Sequence, residues 1–198
     1  MELAEAVRKR RMVRHFTHEP VAPEVVDRML ELARHAPSAG FTQGQAFVVV
    51  TQPEQKRAIA ELCQEEGYVQ SGFDPFISGA PVLVIPCTSE AAYRQRYQEP
   101  DKGGPDVDQY WPVPYWHMDI GCAVQILLLA VVDEGLAAGF AGIPKRGGTE
   151  ELQALLGIPA EVTPVGVIPI GHPAPDKPSP SLKRGRTPDS SYIHHEGW

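Results

Sequence analysis

Asp119-Ile120-Gly121-Cys122-Ala123-Val124-Gln125-Ile126-Leu127-Leu128-Leu129-Ala130-Val131-Val132 is the stretch whose reading decides the architecture. Residues 115–134 are predicted as the longest helix of the chain, apolar on nearly every side across 120–132. A surface helix carries one apolar stripe, whereas a helix apolar all round must be covered on every side. A chain of 198 residues can bury a sizeable core of its own. Covering the remaining face of this helix calls for a second subunit. The run falls short of the ~20 apolar residues a bilayer needs. It is interrupted by Gln125 and bounded by Asp119 and Asp133, so it reads as core and interface, not as a membrane span. Gly135 is placed to cap it.

Outward from this helix, local patterns set the other elements. Leu3, Ala6, Val7 and Arg10 recur at helical spacing, predicting a helix over 2–11. A second opens at Pro23, a favoured first-turn proline, buries Val25, Val26, Met29, Leu30 and Ala33, and ends before Pro37. Strands are expected over 46–51, 81–87, 136–141 and 164–170, and further helices from Pro53 to Cys63 and over 149–156. The continuous apolar run of 81–87 implies burial on both faces. This order is α+β, without the regular alternation of a doubly wound fold. One domain spanning 1–198 is expected, with two long irregular segments. Residues 88–114 carry Tyr93, Tyr97, Tyr110 and Trp111, an aromatic content that suits a lid over a site better than a disordered linker. Residues 171–198 read as an extended arm lying across a partner subunit.

Composition excludes several function classes. A formal net charge of −7 and a pI near 5.5 oppose nucleic-acid binding. Cys63, Cys87 and Cys122 are odd in number and widely spaced, so neither a disulfide framework nor a zinc site is indicated, and a reducing cytoplasm is the simplest home. Residues 1–14 hold Glu2 and Glu5 and lack the apolar core of a signal peptide. His194 and His195 are adjacent and point apart, so no metal is expected. A GxGxxG loop, GxSxG and HExxH are all missing, which argues against an independent dinucleotide fold and against a side-chain catalytic set. Chemistry would then fall to a bound cofactor that the protein positions.

The basic residues point to where such a cofactor binds. Arg8, Lys9, Arg10, Arg11 and Arg14 lie near the start, and Lys183, Arg184 and Arg186 near the end. Each cluster alone reads as solvated surface. An acidic chain has no general electrostatic reason to gather guanidinium groups at both ends, and a shared phosphate, which the guanidinium fork binds bidentately, would supply one.

Arg10-Arg11-Met12-Val13-Arg14-His15-Phe16, Pro20-Val21 and Ala33-Arg34-His35-Ala36-Pro37-Ser38-Ala39-Gly40-Phe41-Thr42-Gln43 together resemble the N-terminal signature of the FMN-dependent nitroreductase family. The 119–130 stretch followed by Glu134-Gly135-Leu136-Ala137 looks like that family's dimer-interface helix, and Arg184-Gly185-Arg186-Thr187-Pro188 resembles its basic ending. The resemblance implies an α+β homodimer with a mixed central sheet flanked by helices and FMN sites at the seam. It implies that Arg10, Arg11, Arg184 and Arg186 hold the phosphate and that Arg14 serves the phosphate or the pyrimidine edge. Pro37, Ser38 and Ala39 would line the ring system, and the backbone at Ala141 and Gly142 would face the reactive nitrogen. A guanidinium near the pyrimidine edge favours the anionic reduced flavin and so raises the reduction potential. NADH or NADPH would be the donor and a small organic molecule, such as a nitroaromatic or quinone, the acceptor. An FMN-storage protein, or a relative specialised for reductive dehalogenation, are the alternatives.

Two departures bear on the site. Met12 stands where the signature has serine, and Phe41 where it has asparagine. A neutral hydrogen bond contributes only about 0.5–1.5 kcal/mol net, so two arginine clusters could offset the missing hydroxyl. A phenylalanine cannot hydrogen-bond the pyrimidine edge, and Gln43 or Gln45 could take over that role.

Overall fold

The computed structural model describes residues 1–102, 111–175 and 179–198. Its helices are α1 (Leu3–Lys9), α2 (Pro23–Ala33), α3 (Pro53–Leu62), α4 (Glu65–Gln70), α5 (Glu90–Arg96), α6 (Tyr115–Asp133) and α7 (Gly148–Leu156). Its strands are β1 (Gln45–Val50), β2 (Val82–Thr88), β3 (Ala137–Ala138), β4 (Thr163–Pro164) and β5 (Ile168–Gly171). The sheet runs β1-β2-β5-β3, with β4 also paired to β2. Every pairing between these strands is antiparallel. The parallel component that makes the sheet mixed is one bridge, Met12 to Ala138, by which the N-terminal segment joins the β3 edge.

Strand β2 is buried along its whole length, as its unbroken apolar run requires. Successive side chains of a strand face opposite sides. Leu83, Ile85 and Cys87 enter one core, with Ile59, Ala60 and Leu62 of α3 and Leu152 of α7. Val82 and Val84 enter the other, with Val26, Met29 and Ala33 of α2 and Ile120, Ala123, Leu127 and Val131 of α6. The architecture is therefore helices, sheet, helices. Truncating a fully buried residue such as Leu127 to Ala would cost about 2–5 kcal/mol.

Helix α6 buries Trp116, Ile120, Ala123, Val124, Leu127, Leu128, Ala130 and Val131. Its other face is open in the single chain: Met118, Gly121, Cys122 and Gln125 are exposed. At 19 residues α6 is long and apolar enough to cross a membrane by length and composition, yet half of it lies inside the fold. Gly135 takes φ 75° and ends it as expected.

Four sequence expectations need correction, and the first is the strand expected over 164–170, which is broken into β4 and β5. The strand expected over 136–141 shrinks to Ala137–Ala138 and a single bridge from Ala141 to Val167. Residues 88–114 are not irregular throughout, because α5 occupies Glu90–Arg96. Ser89 caps that helix by accepting from the Ala92 N–H, and Glu90 pairs with Arg94 one turn on. Helix α4 went unforeseen; it follows Gln64, which takes a left-handed conformation. Glu65 is buried there and accepts from the Ser78 N–H at 3.1 Å, anchoring the following loop.

Candidate functional site

The predicted site residues fall into three groups. The first is the loop at 36–44, which lies against the start of α6. Asp119 Oδ2 accepts the Ala39 N–H at 2.7 Å and the Tyr93 hydroxyl at 2.8 Å. Arg96 Nε donates to the Gly40 carbonyl at 3.1 Å, and Gln45 Nε2 to the Pro37 carbonyl at 3.2 Å. The Gln43 N–H donates to Ser38 Oγ at 2.9 Å, and Thr42 Oγ1 to the Ala39 carbonyl at 2.6 Å. Within this mesh Gly40, Phe41 and Gln43 all have positive φ, at 64°, 54° and 55°. Such values are uncommon outside glycine and are an outlier for a bulky residue such as Phe41, which is also 75% exposed. Residues held in this way persist only where surrounding bonds over-determine them, and they cluster at ligand sites.

The second group gathers at the far end of α6. The Val13 N–H donates to the Ala138 carbonyl at 3.0 Å, bringing the basic segment against the chain that leads to Ala141 and Gly142. Arg10 Nη1 is buried and has no hydrogen-bond partner among the described residues. A charged donor left so is costly, and an external acceptor would relieve it. Arg11, just beyond α1, is turned back on the end of that helix, its Nη1 donating to the Arg10 carbonyl at 2.9 Å and to that of Arg8. Arg14 stacks its guanidinium over Phe73 and Phe76, 5.6 and 5.9 Å from the ring centres. Ala141 is buried and exchanges backbone hydrogen bonds with Val167. Gly142 is exposed, and a Cβ there would meet nothing within 4 Å. Its φ is not positive either, so the usual reason for a turn glycine is missing at this position.

The third group is the arm. Residues 180–198 are exposed throughout, and the described hydrogen bonds of 179–198 are all local. Among the described residues, no hydrogen bond joins the arm that carries Arg184 and Arg186 to the segment that carries Arg10 and Arg11 within one chain. The two body groups are also separate. From Asp119 to Asp133 the helix rises 1.5 Å per residue, about 21 Å in all.

A family model described as the nitroreductase family matches residues 7–172. The chain belongs to the nitroreductase family. It is 28% identical over 208 residues to the FMN reductase (NAD(P)H) of Bacillus subtilis strain 168, covering 98% of this chain and 74% of that one. It is 28% identical over 201 residues to the iodotyrosine deiodinase of Nematostella vectensis, covering 92% and 71%. The B. megaterium NfrA2 structure superposes with a TM-score of 0.79 at 23% identity, covering 100% of this chain and 76% of that chain, which shows the shared fold.

Within this nitroreductase-family chain the aromatic residues expected to form a lid divide. Tyr93, expected in the lid, is fully buried, and its ring fills the space a Cβ on Gly44 would occupy. Burial first, and the bond to Asp119 second, push its phenol pKa up, so Tyr93 acts as a permanent donor to that carboxylate. Tyr97 and Trp111 pack edge-on at 4.6 Å, and the Tyr97 ring lies against Gly40, where a Cβ would come within 2.7 Å. Tyr110 lies outside the described residues. Met12 is partly exposed and sits in the bridge to Ala138. The lid cations are already engaged: Arg96 pairs with Glu99 and Asp101 and holds the Asp101 carboxyl down at about 2, while Arg94 pairs with Glu90. No group of three or more His, Cys, Asp or Glu able to hold a metal occurs among the described residues.

Asp119, Arg96, Phe73 and Phe76 carry structural roles at the site that the sequence alone did not reveal. For Asp119 a signal existed: a single carboxylate opening an otherwise apolar buried run must have donors of its own. Nothing local announced the stack of Arg14 on Phe73 and Phe76, because it joins segments about 60 residues apart.

Proposed function

We propose that this chain is an FMN-dependent oxidoreductase that draws electrons from NADH or NADPH and delivers them to a small organic acceptor, a nitroaromatic or quinone, by a ping-pong cycle. The single observation carrying this reading is the buried Nη1 of Arg10, which has no hydrogen-bond partner among the described residues. A phosphate would satisfy that guanidinium, and a planar ring could approach Gly142 without meeting a side chain. Family membership and the FMN reductase relative support FMN as the occupant.

The working unit in this reading is a homodimer. Two copies related by a two-fold axis, with their α6 helices antiparallel, bring the 36–44 loop of one copy to the arginine end of the other, and do so twice. The open α6 face with Met118, Gly121, Cys122 and Gln125 supports this, since glycine inside a helix is unfavourable unless another backbone comes close. The exposed arm would supply Arg184 and Arg186 from a second copy. In this arrangement Arg10, Arg184 and Arg186 bind the phosphate, and Arg14, held by Phe73 and Phe76, offers positive charge to the ring system. Ser38, Ala39 and Phe41 form the surface against which the ring rests. FMN held there would supply the redox chemistry, hydride acceptance from the nicotinamide and electron delivery to the acceptor. No catalytic side chain or metal is required, nucleic acid and membrane are not partners, and three free thiols suit a reducing cytoplasm.

The test begins with the absorption spectrum of the purified protein, where two visible flavin bands are expected. Anaerobic addition of NADH or NADPH should bleach them, and a nitroaromatic or quinone should restore them. A colourless protein that ignores added FMN would overturn the cofactor assignment. Permanent colour with no bleaching by either nucleotide would leave flavin storage as the function. The deiodinase relative supports reductive dehalogenation as a second reading. Release of iodide from iodotyrosine faster than reduction of nitroaromatics or quinones would establish it. Pairing of Arg94 and Arg96 within the lid leaves less charge to grip a zwitterion and favours the first reading.

A further inference from the structure

We propose that Asp119 is a positioning residue that clamps the 36–44 loop in its strained form and couples it, through Tyr93, to the lid helix. This inference rests on the flavin reading above for the loop's role, but the clamp itself is a property of the chain alone.

The geometry concentrates three elements on one atom. Asp119 Oδ2 takes the backbone N–H of Ala39 at 2.7 Å and the hydroxyl of Tyr93 at 2.8 Å. Ala39 belongs to the loop, Tyr93 to α5 and Asp119 to α6. Each element is independently immobilised near this junction. Thr88 Oγ1 donates to the Trp116 carbonyl at 3.0 Å, fixing the first turn of α6 to the end of β2. Tyr93 is fully buried, so its hydroxyl has a defined position. The Ser89 N–H donates to the Gly44 carbonyl at 3.1 Å, joining the loop's end to the start of α5. Glycine at 40 and 44 lets Tyr97 and Tyr93 press directly on the loop backbone, since a Cβ at either place would come within 2.7 or 2.5 Å of a ring atom.

Strain is what the clamp opposes. Phe41 and Gln43 sit at φ 54° and 55°, conformations that side-chain-bearing residues abandon unless held. Ala39 immediately precedes Gly40 and Phe41, so an acceptor fixed at its N–H sets the entry direction of the strained turn. The clamp also limits the ring-lining role of Ala39: its N–H is already committed to a carboxylate and offers contact surface, not a hydrogen bond. Asp119 would therefore never touch substrate or flavin, and its effect would pass through the loop.

Hydrogen exchange on the full-length protein freed of flavin reads the clamp without any turnover. Asp119→Ala should speed amide exchange across 36–44 by about tenfold or more while far-UV circular dichroism stays unchanged. Asp119→Asn keeps an acceptor oxygen and should recover most of the protection. In the flavin-loaded protein the Ala variant should alter the visible circular dichroism of the bound ring and lower kcat/KM by about 10- to 100-fold, mostly through kcat. Tyr93→Phe keeps the ring in place and should give a smaller change in the same direction, and it serves as the test if Asp119→Ala does not fold. Wild-type exchange in both Asp119→Ala and Tyr93→Phe would overturn the clamp. Equal losses in the Ala and Asn variants would overturn it too, since charge and not geometry would then be at work. If the wild-type protein binds no flavin, the proposed function fails, while the exchange result still decides the clamp.

Discussion

The loop at 36–44 and the arm at 179–198 both carry residues expected to grip one cofactor, yet a single chain treats them in opposite ways. In the loop, backbone and side-chain groups are tied to α5, α6 and each other, tightly enough to hold Phe41 and Gln43 in left-handed conformations. The arm is exposed from 180 to 198 and, among the described residues, bonds only to itself. In the proposed dimer, one half of the binding surface would be organised by folding and the other half by assembly. A pre-organised loop loses little entropy on binding, whereas an arm must be ordered by whatever it meets.

Removing residues 179–198 tests that contrast most severely. Flavin retention should fall on the order of 100-fold or more, because two charge-assisted hydrogen-bonding groups leave together, while far-UV circular dichroism and the protection of 36–44 stay as they were. Unfolding of the body on truncation would show that the arm supports the fold after all. Arg10→Ala should come next, weakening FMN binding about 10- to 100-fold by equilibrium fluorescence titration. Its stability should hold or rise, since the variant removes a buried donor with no partner.

The thiols of the body give a third, pH-dependent contrast. Burial raises Cys63 to about 12 and Cys87 to about 11, against an ordinary value of 9.0. Protons on these thiols are held more firmly in the folded state than in the unfolded one. Their contribution to stability is thus complete below pH 9 and is lost as pH rises through 11 and 12. Melting temperature should fall progressively above pH 9, equally with and without the arm, which has no cysteine. A fall confined to the full-length protein would break the comparison. The smallest effect is expected from Ser38→Ala. It removes one acceptor for the Gln43 N–H and should cost about 0.5–1.5 kcal/mol by chemical denaturation, with flavin binding nearly intact.

The body of the fold was largely legible because local patterns dictate it. The apolar run of 81–87 reads as a strand buried on both faces, as β2 (Val82–Thr88) is, and Pro23 and Gly135 mark helix ends by their own backbone limits. Helix α4 escaped because its start depends on a left-handed Gln64, and helix α5 because aromatic content overshadowed the cap at Ser89. At the candidate site, residue types pointed to the arginines and the family resemblance to Pro37-Ser38-Ala39, but neither shows which donors are already engaged. Arg11 Nη1 is bonded to carbonyls at the end of α1, the Ala39 N–H to Asp119, and Tyr93 is buried. Those outcomes depend on packing between segments remote in sequence, which no periodicity records.

Cysteine placement gives the molecule a built-in reporter. Cys63 and Cys87 are buried, with thiols raised far above neutrality, and a maleimide at pH 7 should pass them by. Cys122 is exposed on the open side of α6. An unmodified protein therefore offers one labelling site, on the very surface where two copies are proposed to meet, so the rate of dye uptake would time how often the pair comes apart.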